Sequence, residues 1–180
     1  IIVAEVMGRH AGWIALEAGI AGGADVILIP EFPIDMEEVC ALIKKRHERG
    51  KTFSIVVVAE GAEFKKGSMI LQEQKLDEFG HVRLGGIGEI LGREIEKRTG
   101  YETRVSVLGH IQRGGSPTAF DRVLGTRFGV KAVELVKEKK FGQMCALSGN
   151  KIISVTLEKA TGTLKTVDPE YYEIAKVFFG

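Results

Sequence analysis

Three runs of this sequence, IIVAEV, DVILIP and FSIVVVAEG, are apolar at nearly every position, and the segments between them repeat their apolar residues at helical spacing. A strand wetted on one face alternates apolar with polar residues, whereas a strand covered on both faces has no need to. Such runs laid down in turn with helices predict an α/β fold with a doubly wound, mainly parallel sheet.

The intervening segments fit that pattern. From Ala11, AGWIALEAGIAGG carries Trp13, Leu16 and Ile20 at helical spacing and stops on Gly22 and Gly23. Asp35 followed by Glu38 resembles a capping box opening the helix MEEVCALIKKRHER, which stops at Gly50. Residues 61–82 are rich in Lys, Gln, Glu and Gly without a period and read as a surface excursion. GIGEILGREIEKRTG restores a helix and ETRVSVLGH a strand. A long helix is expected from about Pro117 to Lys140, with Pro117 in its first turn, where a missing N–H costs nothing. QMCALS and KIISVTL read as short strands and PEYYEIAKVFF as a last helix.

Composition narrows the function. Lys plus Arg number 25 and Asp plus Glu 24, so a net charge of +1 gives no reason to expect nucleic acid or an anionic membrane as partner. No apolar run reaches the roughly 18–20 residues that span a bilayer, and IIVAEVMGR has neither a basic leader nor a cleavage site. Cys40 and Cys145 show no metal or disulfide spacing, which fits a reducing, cytoplasmic setting. Opening in mid-strand without Met, the chain reads as a fragment.

Ligands of open α/β sheets bind beyond the carboxyl ends of the strands. Here one strand runs into Met7-Gly8-Arg9-His10, another into Glu60-Gly61, and a third into His110-Ile111-Gln112-Arg113-Gly114-Gly115. Each alone could be an ordinary turn. Together they offer arginine and imidazole donors beside glycines, which suit a phosphate, and one carboxylate, which suits hydroxyls. A sugar phosphate has both ends.

These residues carry a resemblance. Arg104 to Arg122, RVSVLGHIQRGGSPTAFDR, resembles the signature segment of the phosphofructokinases, and Glu5 to Glu31 resembles a second segment of that family, with Glu60 in order between them. The resemblance implies that Met7, Gly8 and Arg9 contact fructose 6-phosphate, that Glu60 accepts from sugar hydroxyls, and that His110 and Arg113, with Ile111 and Gln112 between them, hold the 6-phosphate. It implies that Arg104 reaches the same phosphate from a neighbouring subunit, so that a homo-oligomer, tetramer or dimer, completes the site. Asp25, Arg49 and Lys51 match positions lining an allosteric nucleotide site in family tetramers, although cations at a helix end such as Arg49 and Lys51 are favoured by the helix dipole anyway. His10 and His47 read as ordinary surface or interface histidines, Trp13 as core packing, and Asp121 and Arg122 as helix-orienting residues. His81 lies in the excursion.

The implied reaction is phosphoryl transfer to the 1-hydroxyl of fructose 6-phosphate, giving fructose 1,6-bisphosphate in glycolysis. Mg2+ with ATP, or with pyrophosphate, would be bound mainly by a half that is absent here. The family's Gly-Gly-Asp donor turn and aspartate base have no counterpart in this chain, so no catalytic residue and no metal ligand is assigned; Gly22-Gly23-Ala24-Asp25 falls at a helix end instead. The expected organisation is a substrate domain over 1–112, a segment 113–165 returning to the donor domain, and 166–180 packing back on the substrate domain. ATP is the first choice of donor. Pyrophosphate, or a non-catalytic sugar-phosphate-binding or regulatory role, remains open.

Overall fold

The computed structural model describes residues 1–65 and 86–180. Elements follow in the order β1 (Ile2–Val6), α1 (Trp13–Gly22), β2 (Val26–Leu28), α2 (Met36–Glu48), β3 (Ile55–Ala59), α3 (Ile87–Thr99), β4 (Arg104–Val107), a 3-10 helix (Gly109–Arg113), α4 (Ala119–Lys137), β5 (Gln143–Ser148), β6 (Lys151–Thr156), α5 (Leu157–Thr161) and α6 (Pro169–Lys176). The chain divides into two compact units, one made of Ile1–Arg113 with Thr166–Gly180, the other of Gly114–Lys165.

In the first unit four strands form a sheet of order β2-β3-β1-β4, parallel at every pairing. Strand residues alternate between two cores, as side chains pointing to opposite faces must. Val3, Val26, Leu28, Val56 and Val58 meet Met36, Val39, Cys40 and Ile43 of α2 and Leu91 and Ile95 of α3. Val6, Ile27, Val57 and Ala59 meet Ala15 and Leu16 of α1 and Tyr172 and Ala175 of α6. Because both faces are covered, the expected near-continuous apolar strands and the doubly wound arrangement follow from one cause. Trp13 packs half-buried at the edge of the second core. Most of the residues expected to form the excursion lie outside the described residues, His81 among them.

Helix α2 starts where Asp35 accepts from the backbone N–H groups of Glu37 and Glu38. Lys65 Nζ lies 3.1 Å from the same carboxylate, and this partner, with the cap bonds, lowers the carboxyl's pKa. On the opposite face α6 is fastened by Tyr172, whose hydroxyl donates to the carbonyl of Ile27 at 2.8 Å while its ring stacks on Phe32 with centroids 4.6 Å apart. Burial of this phenol raises its pKa far out of the physiological range, so it acts only as a neutral donor.

In the second unit, β5 and β6 form an antiparallel hairpin. Here one expectation fails. Pro117 stands before α4 instead of inside its first turn, because Thr118 is the N-cap: its side chain accepts from Asp121 N–H and the Asp121 carboxylate accepts from Thr118 N–H in return. That reciprocal cap sets the helix start after Thr118. Leu135 is the one buried hydrophobic residue of this unit, whereas Phe120, Val123, Val130, Val133 and Val136 of α4 are all exposed. Among the described residues no helix is long and apolar enough to cross a membrane.

Two stability experiments follow. Tyr172→Phe removes a buried donor while keeping the ring, and is expected to lower unfolding free energy by about 1–2 kcal/mol; an unmoved urea midpoint would show that the Ile27 bond contributes nothing. Asp35→Ala should cost about 1 kcal/mol near neutral pH through loss of the cap, with Asp35→Asn costing less. Since folding lowers the Asp35 pKa from its ordinary value of 3.8, the charge contributes stability above that value and loses it as pH falls through the lower folded value. The gap between wild type and Asp35→Ala should therefore narrow in acid, and a gap independent of pH would contradict the ionic part of the cap.

Candidate functional site

A parallel sheet delivers the carboxyl ends of all its strands to one edge, and the register here makes them level. Val6 of β1 pairs with Ala59 of β3, and Glu5 of β1 with Val107 of β4. The residues that follow, Met7–Arg9, Glu60–Gly61 and the 3-10 helix, consequently emerge side by side from three adjacent strands. The three suspect strand ends of the sequence are thus brought to one place.

The turn after β1 is held from both sides. Gln112 Oε1 accepts from Met7 N–H at 2.7 Å, and Glu60 Oε1 accepts from Gly8 N–H at 3.4 Å. The backbone adds Glu60 N–H to the Val6 carbonyl at 2.8 Å and Gly61 N–H to the Gly8 carbonyl at 3.0 Å. Gly61 is obligatory for this approach, since a Cβ there would lie 1.9 Å from the carbonyl oxygen of Arg9. With the turn fixed in this way, Arg9 stands exposed at the edge and Glu60 is half-buried beside it.

His110 and Arg113 owe their relation to local geometry. A 3-10 helix has three residues per turn, so residues three apart eclipse. Gly109–Arg113 is such a helix, which places His110 and Arg113 on one side of it, both exposed, while Gln112 is half-buried against the turn. Ile111, between them, is 76% exposed. Two guanidinium groups and two imidazoles, those of Arg9, Arg113, His10 and His110, therefore face solvent at the carboxyl edge beside the half-buried Glu60, with Arg9 and Arg113 able to present forked donors to an oxyanion and Glu60 able to accept from hydroxyls.

The other sequence candidates, His10 beside Arg9 excepted, lie elsewhere. Arg104 opens β4, at the amino edge of the sheet, and pairs with Glu102, its Nε 2.9 Å from the carboxylate. Within one chain it does not join the cluster. Asp25 stands before β2 at that same amino edge; its carboxylate is nearly buried, 3.0 Å from Arg46 and accepting from Ile55 N–H at 2.8 Å. Its charge is thus engaged inside the fold. Arg49 donates to the Gly180 carbonyl at 2.8 Å, and Lys51 is exposed. His10 is exposed, and His47 stacks on Tyr101 with ring centroids 3.9 Å apart. Among the described residues no three His, Cys, Asp or Glu side chains gather to hold a metal ion.

Sequence reasoning missed two carboxylates. Glu5, 2% exposed near the carboxyl end of β1, accepts from Gly88 N–H at 2.8 Å in the first turn of α3. Glu31, just past β2, accepts from Gly12 N–H with both oxygens at 3.1 Å and from Val167 N–H at 2.8 Å. Glu5 could have been noticed as a charge inside an apolar run. Glu31 gave no such signal.

Known proteins resemble this chain in sequence and in fold. The phosphofructokinase family model matches residues 1–136. The chain is 57% identical over 180 residues to the pyrophosphate–fructose 6-phosphate 1-phosphotransferase of Streptomyces coelicolor and 53% identical over 180 residues to the ATP-dependent 6-phosphofructokinase of Mycobacterium tuberculosis, covering 100% of this chain and 52% of each relative. It therefore spans about half the length of the curated relatives it matches. Among solved structures, phosphofructokinase from Saccharomyces cerevisiae superposes with a TM-score of 0.73 at 33% identity, over 98% of this chain and 21% of that one. The pyrophosphate-dependent phosphofructokinase from Marinobacter aquaeolei gives 0.74 at 25% identity, over 94% of this chain and 42% of that one. One continuous family match takes in all three strand ends and the 3-10 helix, and by it the chain belongs to the phosphofructokinase family.

Proposed function

We propose that the full-length protein transfers a phosphoryl group to the 1-hydroxyl of fructose 6-phosphate, and that this chain supplies the part that binds the sugar phosphate. The observation that carries the proposal is the placing of His110 and Arg113 on one side of a 3-10 helix, beside a turn whose backbone is pinned by Glu60 and Gln112. In this reading His110 and Arg113 hold the 6-phosphate through charge-assisted hydrogen bonds, Met7, Gly8 and Arg9 line the sugar, and Glu60 accepts from its hydroxyls. Holding the remote phosphate fixes the position of the 1-hydroxyl at the far end, and positioning is the larger part of catalysis in phosphoryl transfer.

In the reaction the 1-hydroxyl oxygen bonds to the donor's terminal phosphorus, the bond from that phosphorus to the bridging oxygen breaks so that ADP or phosphate leaves, and the hydroxyl proton passes to a base outside this chain. Among the described residues no three His, Cys, Asp or Glu side chains gather to hold magnesium, so the metal and the base would both belong to the donor half. Arg104, at the amino edge and exposed, is assigned to a neighbouring subunit's phosphate. Residues 1–112 and 166–180 would form the substrate domain and 113–165 would pack on a donor domain; the exposed apolar side chains of α4 support that assignment.

ATP is the donor proposed. Pyrophosphate is the second reading, since enzymes of both kinds resemble the chain, a pyrophosphate enzyme at 57% identity and an ATP enzyme at 53%. Steady-state assay of the full-length protein with each donor separates them, and turnover with neither would refute the reaction. Arg113→Ala should raise the KM for fructose 6-phosphate by about tenfold or more, and kcat should fall as well, because the remote phosphate anchor also positions the reacting hydroxyl. An unchanged KM would take Arg113 out of the site.

A further inference from the structure

The turn proposed to line the sugar ends at Gly12, and Gly12 is anchored differently from the rest of it. It is buried against Ile29 at the end of β2, so closely that a Cβ would lie 2.3 Å from the Ile29 side chain. Its N–H is shared between the two oxygens of Glu31, each at 3.1 Å. One of those oxygens also accepts from Val167 N–H at 2.8 Å. A single half-buried carboxylate thus ties together the end of the turn, the amino end of α1 and the chain at Val167.

The positions of these partners matter. The first unit is left at Arg113 and re-entered at Thr166. Gln112, which accepts from Met7 N–H at the start of the turn, immediately precedes the first crossing. Val167, which shares Glu31 with Gly12 at the end of the turn, immediately follows the second. Both ends of the turn are therefore clasped within one residue of a point where the chain changes units. Glu31 itself follows β2, the one strand of this sheet outside the β3-β1-β4 trio whose ends form the candidate site.

We propose that Glu31 is a positioning residue: its carboxylate sets the conformation of the Met7–Gly12 turn and links it to the re-entering chain at Val167, so that affinity for the sugar phosphate depends on a side chain outside the site. The proposal rests on the reading of that turn as part of the substrate site. A backbone loop held at one end only would still fold, but its N–H and C=O groups would sample orientations that a ligand must then select, which lowers affinity without altering the chemistry.

The test uses the full-length protein with Glu31→Ala, Glu31→Gln and, as a stability control, Tyr172→Phe, which loosens α6 from β2 without touching the turn. Fructose 6-phosphate affinity is read by calorimetry, kcat at saturation by assay, and amide exchange at Met7, Gly8, Gly12 and Val167 by NMR. Glu31→Ala should weaken affinity about tenfold with kcat within about twofold, and should speed exchange at Met7 and Gly8 as well as at Gly12 and Val167. Glu31→Gln keeps one oxygen able to serve both donors and should recover most of the affinity, and Tyr172→Phe should leave affinity unchanged. If exchange rises only at Gly12 and Val167, or if affinity falls equally in Tyr172→Phe, Glu31 is a helix cap and the inference is overturned. Should Glu31→Ala fail to fold, Glu31→Leu, which keeps side-chain bulk but accepts no hydrogen bond, takes its place: weakened affinity with faster exchange at Met7 and Gly8 supports the inference, and wild-type affinity with unchanged exchange there overturns it. If the wild type does not bind fructose 6-phosphate, the functional reading fails, and exchange at Met7 and Gly8 still decides whether Glu31 sets the turn.

Discussion

Pairing of β1 with β3 on one side and β4 on the other is the constraint from which the site descends. Parallel pairing aligns carboxyl ends, and the register continues past the strands: Glu60 N–H reaches the Val6 carbonyl at 2.8 Å and Leu108 N–H the Glu5 carbonyl at 3.0 Å. A slip by one residue in either pairing would turn every side chain of the displaced strand to the other face. Val56 and Val58 would leave the core under α2 and α3, and the strand ends would no longer be level. Burial on both faces makes that slip costly, so the same apolar residues that stabilise the sheet also place the site.

What emerges from the strand ends is held mainly through backbone N–H groups. Met7, Gly8, Gly12 and Val167 each donate to a side-chain oxygen, from Gln112, Glu60 and Glu31. Fastening the backbone leaves the side chains of Arg9, His110 and Arg113 exposed. This division is what a site for a charged, hydroxylated ligand requires, because rigid main chain lowers the entropy lost on binding while exposed cations steer the anion in.

The sheet was legible because double burial leaves a direct mark, the near-continuous apolar run. The site was legible only in part. Met7 to Arg9, Glu60, His110 and Arg113 follow strands and so could be assigned to one edge before the strand order was known. That order, β2-β3-β1-β4, left no trace in the sequence. Nor did the 3-10 helix, whose tight turn has no strong residue preference, although it is what puts His110 and Arg113 on one side. Pro117 misled because a proline is as compatible with the residue before a cap as with the first turn, and the Thr118–Asp121 pair decided between them. Glu31 was invisible for a different reason: its partners are backbone groups 19 and 136 residues away, and backbone groups carry no sequence signal.

The second unit poses the opposite problem, a segment whose local signals are strong and whose core is weak. Thr118 caps α4 with Asp121, and the β5-β6 hairpin is fully paired. Yet Leu135 alone is buried, while α4 shows Phe120, Val123, Val130 and Val133 to solvent at 58–68% exposure. Segments this short seldom bury enough apolar surface to offset the entropy of ordering them. Capping and pairing can specify the shape of residues 114–165, but each contributes only about a kcal/mol, and the single buried Leu135 adds little core to them. The first unit supplies its core internally, with helices on both faces of its sheet. Specification of local structure and supply of a core are thus separate properties in this chain, concentrated in different segments.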